Sequence, residues 1–470
     1  MLVEGWLSRA ASARPDATAL ETPRGSWSYA QLHGAASAGA AQLAGAGAGR
    51  GSRVAIALPA GLELAQAIHA CLLLGAVAVP VDLRLSQTER DAICAGAQVL
   101  IDEPLDSARA TDGAPAASRH ELDATAVVIH TSGTTAQPRP IELTYGNFLW
   151  SALGSAVALG LDPNERWLCA LPLSHVGGLS ILLRSAIYAT TALVHERFEE
   201  DRVLNALNAE GVTLVSLVAT TLTRLLDAGL ERPPALRSAL TGGGPVPAAL
   251  VQRAHAVGVP VSLTYGLTES CSQATTTPVA ASSPEGEVGE APTTAGPPLF
   301  CTRVQIAGDD PDAAGLSPHA AAPGRAAGSG PGEILISGPT VAPGSVAEDG
   351  WLHTGDLGEL DERGRLRVTG RMSDTIVSGG ENVAPAEVEA VLEAHPQVLE
   401  AAVLGRADPQ WGEAVTAIVV AREGAQLDVE ELRAHCAVAL APYKVPKRVS
   451  LSSAPLPRTR SGKLLRRELR

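Results

Sequence analysis

Residues 53–82 read "RVAIALPAGLELAQAIHACLLLGAVAVPVD". The apolar run at 53–59 predicts a β-strand, the longer apolar segment at 61–75 predicts a helix, and the run at 76–82 predicts a second strand. Two strands joined in this way form a βαβ unit with parallel strands. The same alternation recurs at 166–195, 212–230 and 235–266. We therefore expect an α/β fold whose mostly parallel, helix-covered sheet binds ligands at the carboxyl ends of its strands.

The sequence changes character after about residue 280. Pro, Gly and Ala dominate as far as residue 332, and the short runs at 332–338 and 364–370 indicate a small β-barrel-like region. From residue 375 onward, helix and strand patterns alternate compactly. We expect a large N-terminal domain at 1–370 and a small, mobile C-terminal α+β domain at 371–470.

Composition narrows the class of protein. The chain has 470 residues, 46% of them hydrophobic, which is enough for a sizeable core. Its net charge is 36 − 50 = −14, which disfavours nucleic-acid binding. The six cysteines are scattered and include no C-x-x-C pair. This pattern favours a reducing compartment and argues against a zinc site. We see no signal peptide, and the longest uncharged apolar run is shorter than the roughly 20 residues of a membrane helix. We therefore expect a cytoplasmic protein without a transmembrane segment.

Two loops rich in small residues are candidates for nucleotide binding. The first carries four hydroxyls around one glycine, and its members are Thr131, Ser132, Gly133, Thr134 and Thr135. Such a run of donors suits phosphates, although no Walker A lysine follows and an ordinary turn is the alternative. The second loop comprises Gly242, Gly243 and Gly244. Three glycines permit close approach to a flat ligand, or they form a tight strand-to-helix turn.

Three further motifs carry functional groups. In "TYGLTES" (264–270), Tyr265 could stack on a base, and Glu269 beside Thr268 could hold a divalent cation. In "WLHTGDLGEL" (351–360), Asp356 could accept hydrogen bonds from sugar hydroxyls. In the basic C-terminal segment, Lys463 follows a glycine. Each motif also has a structural alternative: a structural corner for Tyr265, a common turn for Asp356, and a solvated charged surface for the segment of Lys463.

As an ordered set, the motifs resemble those of the adenylate-forming superfamily of acyl-CoA synthetases, luciferases and adenylation domains. The resemblance spans residues 6–469 and rests on "TSGTTAQPRP", "LPLSHVGGL", "TYGLTES", "WLHTGDLGEL", "GRMSDTIVSGGENVAPAEVE" and "PRTRSGKLLR". It implies that a carboxylate attacks the α-phosphate of ATP to give acyl-AMP and pyrophosphate. The thiol of coenzyme A then takes the acyl group. The implied ligands are ATP, Mg²⁺, coenzyme A and a small carboxylic acid.

The resemblance also implies a role for each motif residue. The β- and γ-phosphates would bind at residues 131–135, the α-phosphate at Thr268, and Mg²⁺ at Glu269. Adenine would lie between the three glycines and Tyr265, and the ribose would bind to Asp356 and Arg371. Lys463 would bridge the acid carboxylate and the α-phosphate, where negative charge develops in the transition state.

Two conformations are implied as well. The C-terminal domain would bring Lys463 to the site for adenylation. It would then rotate about the connection after Arg371 and present Gly379, Gly380 and Glu381 for the coenzyme A step. The chain departs from the usual pattern at Ser373 in the hinge, and at Ala136 and Arg139 in the phosphate loop, where glycine and lysine are common.

Within the superfamily, "LPLSHVGGLSILLRSAIYATTALVHERF", "TYGLTESCSQATT" and the segment at 371–389 resemble the o-succinylbenzoate–CoA ligases of menaquinone biosynthesis. That substrate has a second carboxylate, and Arg184 is a candidate cation for it. An arginine that reaches solvent from its helix is the alternative. His175, Gly266 and Ser270 would line the acyl pocket, although His175 could equally be a hydrogen-bonded loop residue.

Three other functions remain open at this stage. They are a synthetase for another acid, an enzyme that loads a carrier protein, and a non-enzymatic nucleotide binder. The retained Lys463, Glu269, Asp356 and Arg371 argue against the last of these. A homodimer is the hypothesis for the oligomeric state.

Overall fold

The computed structural model describes residues 1–106, 119–131, 139–279, 292–307, 331–378, 381–408, 411–458 and 464–469. Within these ranges the α-helices are α1 (Trp6–Ala13), α2 (Tyr29–Gly45), α3 (Leu62–Leu74), α4 (Gln87–Cys94), α5 (Tyr145–Leu159), α6 (Val176–Tyr188), α7 (Glu200–Ala209), α8 (Ala219–Asp227), α9 (Ala248–Ala256), α10 (Pro385–Glu393) and α11 (Val429–Ala439). None of these described helices combines the length and the apolar character needed to cross a membrane.

The described residues form 24 β-strands. They are β1 (Leu2–Glu4), β2 (Thr18–Thr22), β3 (Gly25–Ser28), β4 (Arg53–Ile56), β5 (Val77–Pro80), β6 (Val99–Ile101), β7 (Arg119–Glu121), β8 (Thr125–Thr131), β9 (Arg139–Thr144), β10 (Arg166–Cys169), β11 (Thr191–Val194), β12 (Leu214–Leu217), β13 (Ser238–Thr241), β14 (Val261–Tyr265), β15 (Thr275–Thr276), β16 (Arg303–Ile306), β17 (Gly332–Ser337), β18 (Leu352–Leu360), β19 (Leu366–Arg371), β20 (Ile376–Ser378), β21 (Glu381–Val383), β22 (Val398–Asp408), β23 (Gly412–Ala421) and β24 (Arg448–Ser452).

Two mostly parallel sheets confirm the predicted α/β architecture. One has the order β6-β4-β5-β8-β9, with only the edge strand β9 antiparallel. The larger one has the order β15-β14-β13-β12-β10-β11-β2-β3, and its central pairs are parallel. The first predicted βαβ unit is present as β4, α3 and β5. Helix α3 is apolar on nearly every side because it is buried in the main core, where Ile68 and Leu73 contribute.

Two smaller sheets follow along the chain. Strands β16-β17-β18-β19 form an antiparallel sheet, in the region where the sequence predicts a β-barrel-like element. Strands β21-β20-β23-β22, with β24 beside β23, form the last sheet. It packs with α10 and α11 around a separate core that includes Val388, Val403 and Leu432. A short antiparallel pair, β1 and β7, completes the described sheets.

Candidate active site

The carboxylate of Asp356 joins two of the predicted ribose- and base-binding residues. Asp356 is only 5% exposed. Its Oδ2 accepts a 2.9 Å hydrogen bond from the Tyr265 hydroxyl, and its Oδ1 lies 2.7 Å from Nε of Arg371. Burial and the neighbouring Asp356 charge raise the pKa of Tyr265, so the phenol remains a donor. The structure therefore brings Tyr265, Asp356 and Arg371 into one cluster, although they lie in β14, β18 and β19.

The glycine loop lies beside this cluster because β13 and β14 are parallel neighbours. A Cβ atom on Gly242 would lie 2.6 Å from Cγ2 and 2.7 Å from the carbonyl oxygen of Thr264. Gly243 has a φ of +78°, in the left-handed region that glycine favours. Among the described residues, no atom lies within 4 Å of a Cβ built on Gly244. The loop therefore packs against β14 on one side and is open on the other, as a binding surface for a flat ring requires.

The turn at 266–272 holds Thr268 and Glu269 in a fixed position. A Cβ on Gly266 would lie 1.8 Å from the carbonyl oxygen of Ser272, so only glycine fits there. The Ser270 hydroxyl accepts from the Leu267 N–H at 2.9 Å. Ser270 is fully buried, so its hydroxyl stabilises the turn, and its predicted place in the acyl pocket stays a prediction.

Glu269 has the features of a magnesium ligand. Its backbone carbonyl accepts a 2.7 Å hydrogen bond from the Ala342 N–H, which fixes its position. Its half-buried carboxylate forms no ion pair within the part of the chain that the structure describes. Proteins bind Mg²⁺ through one or two carboxylates together with substrate phosphates and water. A single carboxylate without an ion pair, next to the predicted phosphate-binding residue Thr268, fits that chemistry.

Asn147 supports the Glu269 turn from α5, and the sequence did not reveal it. Its side-chain amide donates to the carbonyl oxygens of Pro339 and Val341, both at 2.9 Å. Pro339 and Val341 lie three positions and one position before Ala342, whose N–H binds the Glu269 carbonyl. The only available sequence signal was the capping position of Asn147, which pairs with Thr144 at the start of the helix.

The predicted phosphate loop connects two antiparallel strands. Thr131 ends β8 and is paired with Arg139, the first residue of β9. The Thr131 side chain is half-buried, and its Oγ1 lies 3.4 Å from the Arg139 carbonyl oxygen. The other predicted loop residues, namely Ser132, Gly133, Thr134 and Thr135, lie outside the described residues.

His175 lies where the two parallel sheets meet. It precedes α6, while Asp82 and Arg84 follow β5 in the other sheet. The Nε2 atom of His175 lies 3.1 Å from Nη2 of Arg84 and 3.5 Å from Oδ2 of Asp82. Burial opposes ionisation of Asp82, but hydrogen bonds from Arg84 and His175 hold its pKa well below the usual range. His175 is thus a hydrogen-bonded residue whose side chain is 43% exposed, and its predicted place in the acyl pocket stays a prediction.

Arg184 lies on α6, and only 2% of its surface is exposed. The alternative that its side chain reaches solvent is therefore wrong. Its Nη2 donates to the Ser151 hydroxyl at 2.9 Å, and its guanidinium carbon lies 5.6 Å from the centre of the Trp167 ring. The Ser151 hydroxyl in turn donates to the Cys271 carbonyl at 2.7 Å. Nε has no hydrogen-bond partner, and no described carboxylate pairs with the guanidinium.

Burial lowers the pKa of Arg184, but the intrinsic basicity of arginine keeps it charged. The structure therefore places an uncompensated cation one hydrogen-bonded residue away from the turn that carries Glu269. Buried cations of this kind are costly without an anionic partner.

The structure describes only some of the site residues predicted for the C-terminal domain. Lys463, Gly379 and Gly380 lie outside the described residues. Glu381 begins β21 and is exposed, opposite Ser378 of β20. Arg371 ends β19, and a short 3-10 helix, Met372–Asp374, follows it directly.

Two family models match the chain. The model described as AMP-binding enzyme matches residues 7–346, and the model of the AMP-binding enzyme C-terminal domain matches residues 387–463. Among curated proteins, the chain is 37% identical to a 2-succinylbenzoate–CoA ligase of Bacillus cereus, over 99% of this chain and 98% of that protein. It is 38% identical to the protein of the same name from Bacillus thuringiensis, over 99% and 97%.

Solved structures of o-succinylbenzoate–CoA synthetase from Bacillus subtilis are also similar. The complex with the acyl-adenylate intermediate superposes with a TM-score of 0.87 at 36% identity and covers 100% of this chain and 98% of that chain. The complex with ATP and a magnesium ion has a TM-score of 0.85 at 35% identity and covers 100% of both chains.

Proposed function

Because the chain belongs to the AMP-binding enzyme family, we propose that it is an ATP-dependent acid–CoA ligase whose substrate is o-succinylbenzoate. A carboxylate of the acid attacks the α-phosphate of ATP and releases pyrophosphate. The coenzyme A thiol then attacks the acyl carbon of the mixed anhydride and releases AMP. The observation that carries the choice of acid is the buried, unpaired cation of Arg184 beside the Glu269 turn.

The nucleotide is bound by the cluster of Tyr265, Asp356 and Arg371 and by the loops that follow β13 and β14. Asp356 accepts hydrogen bonds from the ribose hydroxyls, and Arg371 fixes the Asp356 carboxylate. The glycine loop and Tyr265 enclose adenine. Thr131 and the loop that follows it hold the β- and γ-phosphates, and Thr268 contacts the α-phosphate. Mg²⁺, held at Glu269, neutralises phosphate charge when it is bound.

The acid lies between the nucleotide and α6. One carboxylate reacts at the α-phosphate, close to Thr268, and the other needs a cation because a buried, unpaired carboxylate is strongly disfavoured. Arg184 supplies that cation through its unpartnered Nε. Gly266 lets the turn pack closely against the backbone of Ser272 on the acyl pocket. His175 lines the entrance of that pocket and is held by Arg84 and Asp82.

The domain boundary belongs to the same proposal. We place it between residues 370 and 371, at the end of β19, with Lys463 acting on the adenylation step. The segment containing Gly379, Gly380 and Glu381 serves the thioester step after rotation. A cytoplasmic location and a homodimer are the remaining parts of the proposal.

A panel of acids tests the function. Purified protein is given ATP, Mg²⁺ and coenzyme A with o-succinylbenzoate, with monocarboxylic aryl acids of similar shape, or with aliphatic acids. Pyrophosphate release and thioester formation are followed separately. We expect o-succinylbenzoate to give the highest kcat/KM in both. A higher value with another acid would refute the proposed substrate, and transfer to a phosphopantetheinyl carrier protein but not to coenzyme A would refute the proposed acceptor.

A further inference from the structure

The described residues on either side of Lys463 are paired with each other. Arg458 and Leu464 form an antiparallel bridge, and the Leu465 N–H donates to the Pro457 carbonyl at 2.8 Å. Leu464 also packs against the small apolar cluster that contains Leu456. The described residues that precede and follow the Lys463 segment therefore lie next to each other.

Glu400 of β22 anchors the chain that precedes the Lys463 segment. Its Oε1 accepts a 2.8 Å hydrogen bond from the Leu456 N–H, and its Oε2 accepts a 2.8 Å hydrogen bond from Nη2 of Arg458. The Glu400 side chain is 15% exposed, so water screens this ion pair less than it screens a surface pair.

Arg466 anchors the chain that follows the Lys463 segment, and it makes three kinds of contact. Its guanidinium pairs with both carboxylate oxygens of Glu389 on α10, and its Nη1 donates to the Val403 carbonyl at 2.8 Å. Its Nε lies 3.3 Å from Oδ2 of Asp374. Burial acts to lower the pKa of Arg466, but the contacts with Glu389 and Asp374 outweigh it and raise the pKa. A bidentate pair of this kind fixes orientation as well as position.

The contact with Asp374 connects Arg466 to the hinge, because Asp374 ends the 3-10 helix that follows Arg371. Arg466 lies three residues beyond Lys463, a chain length that spans at most about 11 Å. One guanidinium thus connects the outgoing end of the hinge to the base of the Lys463 segment.

We propose that Arg466 is a positioning residue for adenylation, which ties the Lys463 segment to the hinge through Asp374 and to α10 through Glu389. This inference rests on the proposed function, because it needs Lys463 to act on the adenylation step. With the tie intact, rotation of the hinge delivers the Lys463 ammonium to one position. Without it, the ammonium samples many positions, and its charge is no longer aligned with the transition state.

Separate half-reactions test the proposal. Pyrophosphate formation without coenzyme A reports adenylation, and thioester formation from supplied acyl-AMP reports the second step. Arg466→Met should lower the adenylation kcat by about 10- to 100-fold, as small misplacements of catalytic groups do, with little change in the KM for ATP. Thioester formation should stay at the wild-type rate, and Arg466→Lys should recover part of the loss. Arg448→Met, which removes an exposed ion pair with Asp408 in the same domain, is the matched control.

The Lys463→Ala background makes the test specific. Adding Arg466→Met to Lys463→Ala should cause no further loss, because the two residues act through one group. Equal loss in both half-reactions, or an undiminished loss in the Lys463→Ala background, would overturn the proposal. If Arg466→Met does not fold, Asp374→Asn decides, and an unchanged adenylation rate in that variant would also overturn it. A wild-type protein that forms no acyl-AMP would instead refute the proposed function itself.

Discussion

Replacement of Arg184 by methionine should separate substrate recognition from stability. In the free protein the guanidinium is 2% exposed, makes one 2.9 Å hydrogen bond to Ser151, lies over Trp167 and pairs with no described carboxylate. Methionine has a similar length and apolar character, so it fills the same space without the charge. The variant should therefore bind the second carboxylate of o-succinylbenzoate poorly, yet fold at least as well as the wild type.

The expected magnitudes follow from the contacts. Removing one partner of a buried charge pair costs about 2–5 kcal/mol, which corresponds to a loss of about 30- to 5,000-fold in kcat/KM. For stability, the lost hydrogen bond to Ser151 is worth about 1.5–3 kcal/mol. The desolvation penalty of a buried ion is several kcal/mol, so its removal outweighs that loss. The free energy of unfolding should rise.

Two measurements check this prediction. Steady-state kinetics compare o-succinylbenzoate with a monocarboxylic aryl acid of similar shape, for which kcat/KM should change little. Urea unfolding without ligands compares stabilities. Arg224→Met is the control, because Arg224 also lies over an aromatic ring, at 4.8 Å from the Phe198 ring centre, but is 52% exposed. A parallel fall in kcat/KM for both acids would refute the assignment of Arg184 to the second carboxylate, and a clear loss of stability would refute the account of an uncompensated charge.

Two further predictions concern the turn and the C-terminal domain. Gly266→Ala should destabilise the protein by about 1–3 kcal/mol and raise the KM for ATP, because its Cβ would collide with the Ser272 carbonyl; Gly34→Ala, in open space on α2, should do neither, and equal effects would refute the close approach. Burial raises the pKa of Glu393 from 4.5 to about 7. The folded state therefore holds the proton more tightly, and stability should fall as pH rises from 4.5 to about 7, by on the order of 3 kcal/mol. In Glu393→Gln, urea unfolding at several pH values should show a smaller fall, and an unchanged slope would contradict the pKa assignment.

The βαβ rhythm was predictable because buried parallel strands and their helices are locally apolar and periodic. Strand β9 was not predicted, since Pro140 interrupts its pattern. Pro140 is tolerated there because β9 is an edge strand of its sheet. Helix α2 was also missed, because glycine and alanine blur its hydrophobic periodicity. The capping box of Ser28 and Gln31 was the local signal that could have revealed it.

The candidate site was predictable where one motif carries one role. Tyr265, Asp356 and Arg371 were each identified in their own motifs, and the structure places them in contact. The supporting partners were not predictable, because their contacts cross long distances in the chain. Arg84 meets His175 across 91 positions, for example. Single-sequence patterns report local structure and do not report which distant side chains pack together.

Transfer of an oxygen label tests the central claim most directly. The protein is incubated with ATP, Mg²⁺, coenzyme A and o-succinylbenzoate labelled with ¹⁸O in its carboxylates, and the nucleotide product is analysed by mass spectrometry. Attack of the carboxylate on the α-phosphate leaves one carboxylate oxygen on the phosphate when the thiol displaces AMP. We therefore expect AMP that carries one ¹⁸O atom, in equal amount to the coenzyme A thioester. Unlabelled AMP, or ADP with labelled phosphate, would contradict adenylation as the reaction of this protein.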